Sequence, residues 1–312
     1  ISLVFSFVLV LGAHICVTEP VIAGGIYENY IEPYSALDVV AFWVMSALIF
    51  WVLSVLVQLS SRCRCRVFCE DSLRGNDGGS SIRLLSVAVR ALVIFLLYLP
   101  FFLRYCPGLF FGDTFSSLAQ IMGWNPLSNH HPVAFTMMMA ACIKIAGLMG
   151  MGPSVGVALL TVLQMACVAS TFGYLSIWVT SRLGVSSRWS WLLVVYFGLS
   201  RYCALFSVAL WKDPLFSCCL VLMVTMLADA AMEKDSWSSA LRLLVFGALA
   251  LGVMLLRNNG LHICSALFVV LAIIAVLGRL GRISPMGSGS RLAIPLGIAI
   301  AACLAITGPV YS

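Results

Sequence analysis

Residues 84–103 read LLSVAVRALVIFLLYLPFFL, and Arg90 is the one charged side chain among them. An α-helix needs about 20 predominantly apolar residues to cross the hydrocarbon core of a membrane. Arg83 precedes the run and Arg104 follows it, so charge stands at both ends of an apolar stretch of the required length. The segment predicts a membrane-spanning helix.

The composition extends this prediction to the whole chain. Of the 312 residues, 62% are apolar and only 10% are charged, whereas soluble domains carry about 25% charged residues. These values exclude a soluble globular enzyme, a disordered protein and a secreted disulfide scaffold. The sequence therefore predicts an all-α polytopic membrane protein.

Ten segments are long and apolar enough to form such helices. They are 1–22, 37–58, 84–103, 133–151, 154–179, 189–208, 214–232, 240–256, 261–278 and 292–309. We expect about nine to span the membrane and one, 133–151, to lie along its outer face as a juxtamembrane helix. That segment follows His-His-Pro and contains Lys144, as is typical of an interfacial helix.

Basic residues set the predicted orientation, because cytoplasmic loops are enriched in Lys and Arg. The loop 59–83 holds five arginines and is expected inside, whereas the loop 23–36 holds Glu28 and Glu32 and no base. If 133–151 does not cross, twelve basic residues lie inside and four lie outside; if it crosses, the numbers are about even. The bias favours the non-crossing arrangement.

The predicted organisation has two regions. Residues 1–83 hold two N-terminal spanning helices and the basic cytoplasmic loop, and 84–312 form one transmembrane module. The chain begins at Ile1 inside one apolar run and stops at Ser312 after another, so we expect a fragment at both ends. Cys63, Cys65 and Cys69 could bind a metal, but their spacing is not a usual zinc pattern, which favours a reduced juxtamembrane stretch.

The predicted topology brings four polar clusters to one side of the membrane. Several of their residues have a simple explanation when taken singly. Asp113 could be a helix N-cap, Trp211 and Lys212 could lie at the membrane interface, and Arg257 could end a helix with Gly260 in its C-cap region. Together they indicate a polar cavity. The clusters are FGDTFSSLAQ at 111–120, NHHP at 129–132, ALWKDP at 209–214 and LRNNGLH at 256–262.

The residue types in these clusters suit transfer of a phosphate-activated sugar. A carboxylate can act as a general base toward a hydroxyl, Lys and Arg can hold a phosphate, and Asn and His can bond sugar hydroxyls. The sequence lacks a phosphate-binding glycine loop with Lys-Ser/Thr. An activated donor on the outer face would therefore be lipid-linked.

At these residues the sequence resembles the integral-membrane glycosyltransferases of the GT-C class, which use polyprenyl-phosphate sugars on the outer or lumenal face. Asp113 matches the catalytic aspartate of their first large external loop, and His131-Pro132 matches the start of the interfacial helix that follows. Over about 84–262 the likeness is closer to a bacterial group of polytopic proteins with the same four motifs.

The resemblance implies a GT-C-like catalytic module in which Asp113 is catalytic. It implies a polyprenyl-phosphate sugar donor and a cell-envelope glycan, lipid or protein acceptor, within the cell membrane and without nucleic acid. It requires no cofactor, and a divalent metal ion stays open because Thr114 stands where these enzymes often have a second acid. The expected substrate-binding residues are Gln120, His130, His131, Lys212, Asp213, Arg257, Asn258 and Asn259.

Two other classes stay open at this point. A transporter or flippase for a lipid-linked or anionic solute would use Arg90 and Arg201 within predicted spans and Asp229 near the inner end of 214–232. Against it, transporters usually carry polar groups near mid-membrane and show repeats, and this chain shows no repeat. A structural membrane subunit would lose nothing but folding when the four clusters are mutated.

Overall fold

The computed structural model describes residues 15–17, 29–31, 79–126, 132–183, 186–232, 239–279 and 289–311, with residues 40, 43, 44 and 47. The chain divides into two compact units. One comprises Ile1–Gly75 with Arg182–Val185, and the other comprises Asn76–Ser181 with Ser186–Ser312.

The first unit contains a two-stranded antiparallel sheet. Strands β1 (Ile15–Val17) and β2 (Asn29–Ile31) pair with Ile15 opposite Ile31. The predicted helix 1–22 is therefore wrong at residues 15–17. The β-branched Ile15 and Val17 favour a strand, and Pro20 carries no N–H group for a helix that would continue through it.

Four residues of the predicted span 37–58 are helical, namely Val40, Trp43, Val44 and Ala47. The other residues of the two N-terminal spans lie outside the described part of the chain. So do Cys63, Cys65 and Cys69.

Within the described ranges, the second unit is built from ten helices, except that the last two residues of one helix, Arg182 and Leu183, belong to the first unit. The helices are α1 (Gly79–Tyr105), α2 (Gly112–Ile121), α3 (Val133–Leu148), α4 (Pro153–Leu183), α5 (Ser187–Leu199), α6 (Arg201–Val208), α7 (Lys212–Met232), α8 (Ala240–Leu256), α9 (Asn259–Arg279) and α10 (Gly289–Tyr311).

Five of these helices, α1, α4, α7, α9 and α10, are long and apolar enough to cross a membrane. The pair α5 and α6 makes six if it counts as one bent span, and α3 and α8 are shorter apolar helices. The prediction of a helical chain with several membrane-spanning segments is confirmed for the described residues. The predicted number of nine is not tested there, because most of 1–22 and 37–58 is not described.

The predicted single helix 189–208 is broken at Ser200, and its two halves meet at a 60° bend. The Ser200 side chain accepts a hydrogen bond from the backbone N–H of Cys203 (3.4 Å) and so begins α6. The buried Tyr98 hydroxyl donates to the carbonyl of Phe197 (3.0 Å), just before the break. Side chains therefore satisfy backbone groups that a continuous helix would pair internally.

Helix α3 is a short apolar helix that lies between α2 and α4 in the chain. Its first turn is hydrogen-bonded to α2 through Thr136. After a four-residue turn, α4 contacts Pro107 through Thr161 and, farther along, Ser190 through Ser176. These two contacts fix the direction of α4. The helix is continuous, so its first residues lie on the Pro107 side and it runs from there toward Ser190. At 16 residues, α3 is also about 24 Å long, shorter than a membrane core of about 30 Å.

The buried apolar side chains form two clusters. One draws on α3, α4 and α7–α10, and the other on α1 and α4–α7. Close helix approaches use glycine: a Cβ on Gly173 of α4 would stand 2.8 Å from the backbone nitrogen of Ala91 on α1. Helices α4 and α7 contribute side chains to both clusters and so connect them.

Candidate functional site

Two loops meet where α1 and α6 end. The backbone N–H of Leu109 donates to the carbonyl of Val208 (2.9 Å), and the N–H of Leu210 donates to the carbonyl of Leu109 (2.9 Å). These bonds form a short parallel bridge between Leu109 and Ala209. Since α2 follows the first loop and α7 follows the second, the bridge brings the starts of these two helices together.

Asp113 lies in the first turn of α2 and is not its N-cap, which corrects the simple explanation of this residue. Phe111 occupies the cap position, and its backbone N–H donates to the Thr114 hydroxyl (3.2 Å). The buried Thr114 hydroxyl donates in turn to the carbonyl of Leu210 (2.6 Å). Thr114 thus caps α2 and ties it to the second loop, leaving the Asp113 carboxylate for other contacts.

Asp113 is paired with two residues of the third cluster. Its Oδ2 atom lies 2.6 Å from Lys212 Nζ and accepts a hydrogen bond from Trp211 Nε1 at 3.1 Å. The Lys212 side chain is 16% exposed and the Asp113 side chain 35% exposed, so the carboxylate is the more accessible partner. Charge-assisted bonds from two donors fix the position of Oδ2.

The Trp211 ring contacts two phenylalanine rings. Phe111 stacks on it with centroids 5.4 Å apart, and Phe206 lies tilted against it at 5.9 Å. Packing of this kind restricts the indole to one orientation. Trp211 is therefore a fixed hydrogen-bond donor to Asp113, not only the interfacial aromatic that the sequence suggests.

The fourth cluster joins the third through a second ion pair. Arg257 Nη1 lies 3.5 Å from Asp213 Oδ1, an oxygen that is buried and accepts no hydrogen bond in the described part of the chain. The guanidinium also lies over the Phe216 ring, 5.5 Å from its centroid. The Arg257 side chain is 47% exposed. Of the two bases here, Arg257 is the more accessible and the more loosely held.

Helices α8 and α9 turn sharply at this cluster. Arg257 has an extended backbone after α8 ends at Leu256, and α9 begins at Asn259, one residue after Asn258. Gly260 is not a C-cap residue as the sequence suggests; it lies in the first turn of α9, where a Cβ would collide with the carbonyl oxygen of Val253. Asn258 and Asn259 are exposed beside Arg257.

Three further predicted site residues have different outcomes. Gln120 lies in the last turn of α2, and its Oε1 atom is buried without a hydrogen-bond donor among the described residues. His130 and His131 lie outside the described part of the chain. The structure thus brings together the first, third and fourth clusters, and the second cluster is described only at Pro132.

Two residues of this region were not predicted from the sequence. Thr161 and Gln164 are buried on one face of α4; Thr161 donates to the carbonyl of Pro107 (2.7 Å), and Gln164 Nε2 donates to the carbonyls of Ser207 (2.9 Å) and Ala209 (2.5 Å). Their signal was present as two polar residues one helical turn apart inside an apolar span.

The arrangement as a whole is a row of alternating charges, Asp113, Lys212, Asp213 and Arg257. Among the described residues, no group of three or more His, Cys, Asp or Glu side chains could hold a metal ion. The row can orient a hydroxyl against Asp113 and hold an anion at Arg257.

A protein-family model described as a family of unknown function, DUF6020, matches residues 86–281, more than half of the chain. This chain belongs to the DUF6020 family. No curated protein and no solved structure matches it. The DUF6020 region includes all four polar clusters and both loops of the bridge, and it leaves out residues 1–85 and α10.

The DUF6020 region contains a second polar set, far along the helices from Asp113. Arg90 of α1 is buried; its Nε donates to the Ser190 hydroxyl (2.7 Å), and its guanidinium lies over the Trp191 ring, 4.8 Å from the centroid. Trp178 Nε1 donates to Asp229 Oδ1 (2.9 Å) in the same part of the bundle. These contacts join α1 to α5 and α4 to α7, a structural role for residues that the sequence left open.

Proposed function

We propose that this DUF6020 protein is a membrane glycosyltransferase that moves a sugar from a polyprenyl-phosphate donor to a cell-envelope acceptor. The observation that carries the proposal is the partly exposed Asp113 carboxylate, held by Lys212 and Trp211, while the next residue, Asp213, pairs with the accessible Arg257. The GT-C resemblance of the sequence supports the same function with Asp113 as the catalytic residue.

Asp113 acts on the acceptor hydroxyl. We assign proton acceptance, or alignment of the hydroxyl, to the Asp113 carboxylate, whose side chain is 35% exposed. A positioned general base contributes about 10²–10⁴-fold to a rate. We assign Lys212 the role of holding the Asp113 carboxylate in position, because the Lys212 side chain is only slightly exposed and its Nζ atom lies 2.6 Å from Asp113 Oδ2.

Arg257 binds the phosphate of the donor and stabilises it as the leaving group. A guanidinium can bond phosphate oxygens bidentately, and this one is nearly half exposed with a loose 3.5 Å ion pair to Asp213. Asp213 and the Phe216 ring hold the guanidinium in place. Asn258, Asn259, His130 and His131 would orient the sugar or the acceptor, and Gln120 would add a hydrogen-bond acceptor.

The distribution of basic residues supports an active site on the extracytoplasmic face of the cell membrane. Arg188 is the second residue of α5, Arg242 lies in the first turn of α8, Arg279 ends α9 and Arg291 lies near the start of α10. These helix ends are the ones away from Asp113, and positive charge collects on the cytoplasmic side. Helix α3 would then be the outer juxtamembrane helix, and its length of 16 residues supports this assignment.

The direct test is transfer from defined donors. Purified protein in detergent is given a radiolabelled polyprenyl-phosphate sugar or the matching nucleotide sugar, with a cell-envelope fraction as the acceptor source. The proposal requires that label move from the lipid-linked donor and not from the nucleotide sugar. Adding and chelating Mg²⁺ or Mn²⁺ in the same assay decides whether a divalent ion takes part.

A second candidate is a transporter or flippase for a lipid-linked or anionic solute. The observation that favours it is the break at Ser200, since discontinuous spans are a feature of transporter binding sites. Movement of a fluorescent polyprenyl-phosphate sugar across proteoliposomes without covalent change would support this candidate. The polar contacts at the break, such as Tyr98 with Phe197, are already made within the protein, which favours the enzyme.

A further inference from the structure

We propose that Gln164, with Thr161, is a positioning residue that fixes Lys212 against Asp113. This inference rests on the proposed function, since it concerns the same site. Gln164 touches neither Asp113 nor Lys212 in any described contact; it acts through the backbone of the loop between α6 and α7.

The first step concerns the carbonyls that α6 leaves at its C-terminal end. The last carbonyl groups of a helix have no partner within the helix and need donors from elsewhere. The amide nitrogen of Gln164 donates to the carbonyls of Ser207 and Ala209 at 2.9 and 2.5 Å. A primary amide has two N–H donors, so one side chain serves both carbonyls.

The second step concerns the other loop. One turn earlier on the same helix, the buried Thr161 hydroxyl donates to the carbonyl of Pro107. Gly108 packs closely here, because a Cβ on it would stand 2.6 Å from Thr161 Oγ1 and 2.8 Å from a methyl group of Leu210. One face of α4 therefore holds the backbone of both loops.

The third step connects the loops to the charges. The bridge between Leu109 and Ala209 and the bond from Thr114 to the Leu210 carbonyl fix the loops to each other. Asp113 stands directly before Thr114, and Lys212 is two residues after Leu210. A shift of Ser207–Ala209 would thus move Lys212 relative to Asp113.

The chemistry of Gln164 is specific to an amide. Its side chain is fully buried, and its Oε1 atom accepts no hydrogen bond in the described part of the chain. A methionine would fill a similar volume but offer no donor, which would remove the Gln164 donor from the Ser207 carbonyl and leave the Ala209 carbonyl only the backbone N–H of Trp211 (2.8 Å). The matched control is Met165→Leu, a change of little volume at a fully buried neighbour on α4 whose side chain packs in an apolar cluster.

The experiment is a double-mutant cycle of Gln164→Met with Lys212→Gln, measured as kcat and donor KM for a polyprenyl-phosphate sugar. We expect Gln164→Met to lower kcat by about 10–100-fold, with donor KM held within about twofold. In the Lys212→Gln background the same change should cost less than about threefold, because the residue it acts on is gone. Met165→Leu should match the parent in both backgrounds.

Equal losses in both backgrounds would overturn the proposal, since a general packing defect lowers the activity of either protein alike. A parallel cycle measures the unfolding midpoint in detergent and needs no activity. There the two changes should be non-additive by about 2 °C or more. If the parent transfers no sugar but the unfolding midpoints are non-additive, the proposed function fails while the positioning role stands; additive midpoints remove the positioning role itself.

Discussion

Lys212 Nζ lies 2.6 Å from Asp113 Oδ2, although 99 positions of sequence separate the two residues. The pair joins the first turn of a short helix to the start of a long apolar helix. Asp213 and Arg257 continue the row of charge into the turn between α8 and α9. Three segments that are distant in sequence thus contribute one polar surface in a chain that has few charges.

The indole N–H of Trp211 is expected to matter for activity. Trp211→Phe keeps the stack with Phe111 and Phe206 but removes the donor to Asp113, a charge-assisted bond of about 1.5–3 kcal/mol. Initial rates of sugar transfer should fall by about 10-fold or more. Trp178→Phe is the control, because Trp178 makes the same kind of bond to Asp229 outside the site; an equal loss in both variants would count against a role for Trp211.

The two bases should affect different kinetic constants. Arg257→Gln removes the accessible guanidinium that holds the donor phosphate, so the donor KM should rise by about 10-fold or more with a smaller change in kcat. Lys212→Gln removes the partner of Asp113, so kcat should fall with KM nearly unchanged. Steady-state kinetics over a range of donor concentration separates the two, and a reversed pattern would exchange the roles we assign.

Gly260 should be indispensable for the α8–α9 turn. Gly260→Ala places a methyl group against the Val253 carbonyl and should lower the free energy of unfolding by about 1–3 kcal/mol. Gly147→Ala is the comparison, since a Cβ on this helical glycine would have no neighbouring atom within 4 Å, and alanine favours a helix interior by up to about 1 kcal/mol. Thermal unfolding in detergent should show opposite signs; a stable Gly260→Ala protein would contradict the tight turn.

The orientation of the site is open to labelling. In a cysteine-free background, Asn258→Cys should react in intact cells with a membrane-impermeant maleimide, and Arg188→Cys should react only after permeabilisation. Both positions are exposed. The native cysteines differ in accessibility. Cys106 is exposed, whereas Cys142 is buried, and burial raises the pKa of its thiol and so keeps it protonated. Labelling of position 188 alone from outside would reverse the proposed orientation.

Much of the helical framework could be predicted because apolar length is a strong signal. The segments 84–103, 154–179, 214–232, 261–278 and 292–309 all fall on observed helices that could span a membrane. The bend at Ser200 was not predicted in this way, because the polar pair Ser200-Arg201 lies inside an apolar stretch that is long enough to be one helix. It depends on tertiary contacts such as the bond from Tyr98 to the Phe197 carbonyl, 99 positions away.

The site was predictable as a set of clusters but not as a set of contacts. Composition and orientation suggested that Asp113, Lys212 and Arg257 lie on one side. They did not show that Lys212 pairs with Asp113, or that Arg257 pairs with Asp213. The role of Gln164 was missed because its partners are backbone carbonyls 43 and 45 positions later, and the sequence marks it only as a polar residue inside an apolar span.

The most direct measurement compares Asp113→Asn with Asp229→Asn in transfer of a radiolabelled sugar from polyprenyl phosphate to a cell-envelope fraction. Both aspartates accept a hydrogen bond from a tryptophan indole, but only Asp113 lies in the proposed site. We predict that Asp113→Asn lowers the rate by about 100-fold or more and that Asp229→Asn stays close to the parent, at equal amounts of folded protein. Full activity in Asp113→Asn, or no transfer by the parent from any lipid-linked sugar, would contradict the account.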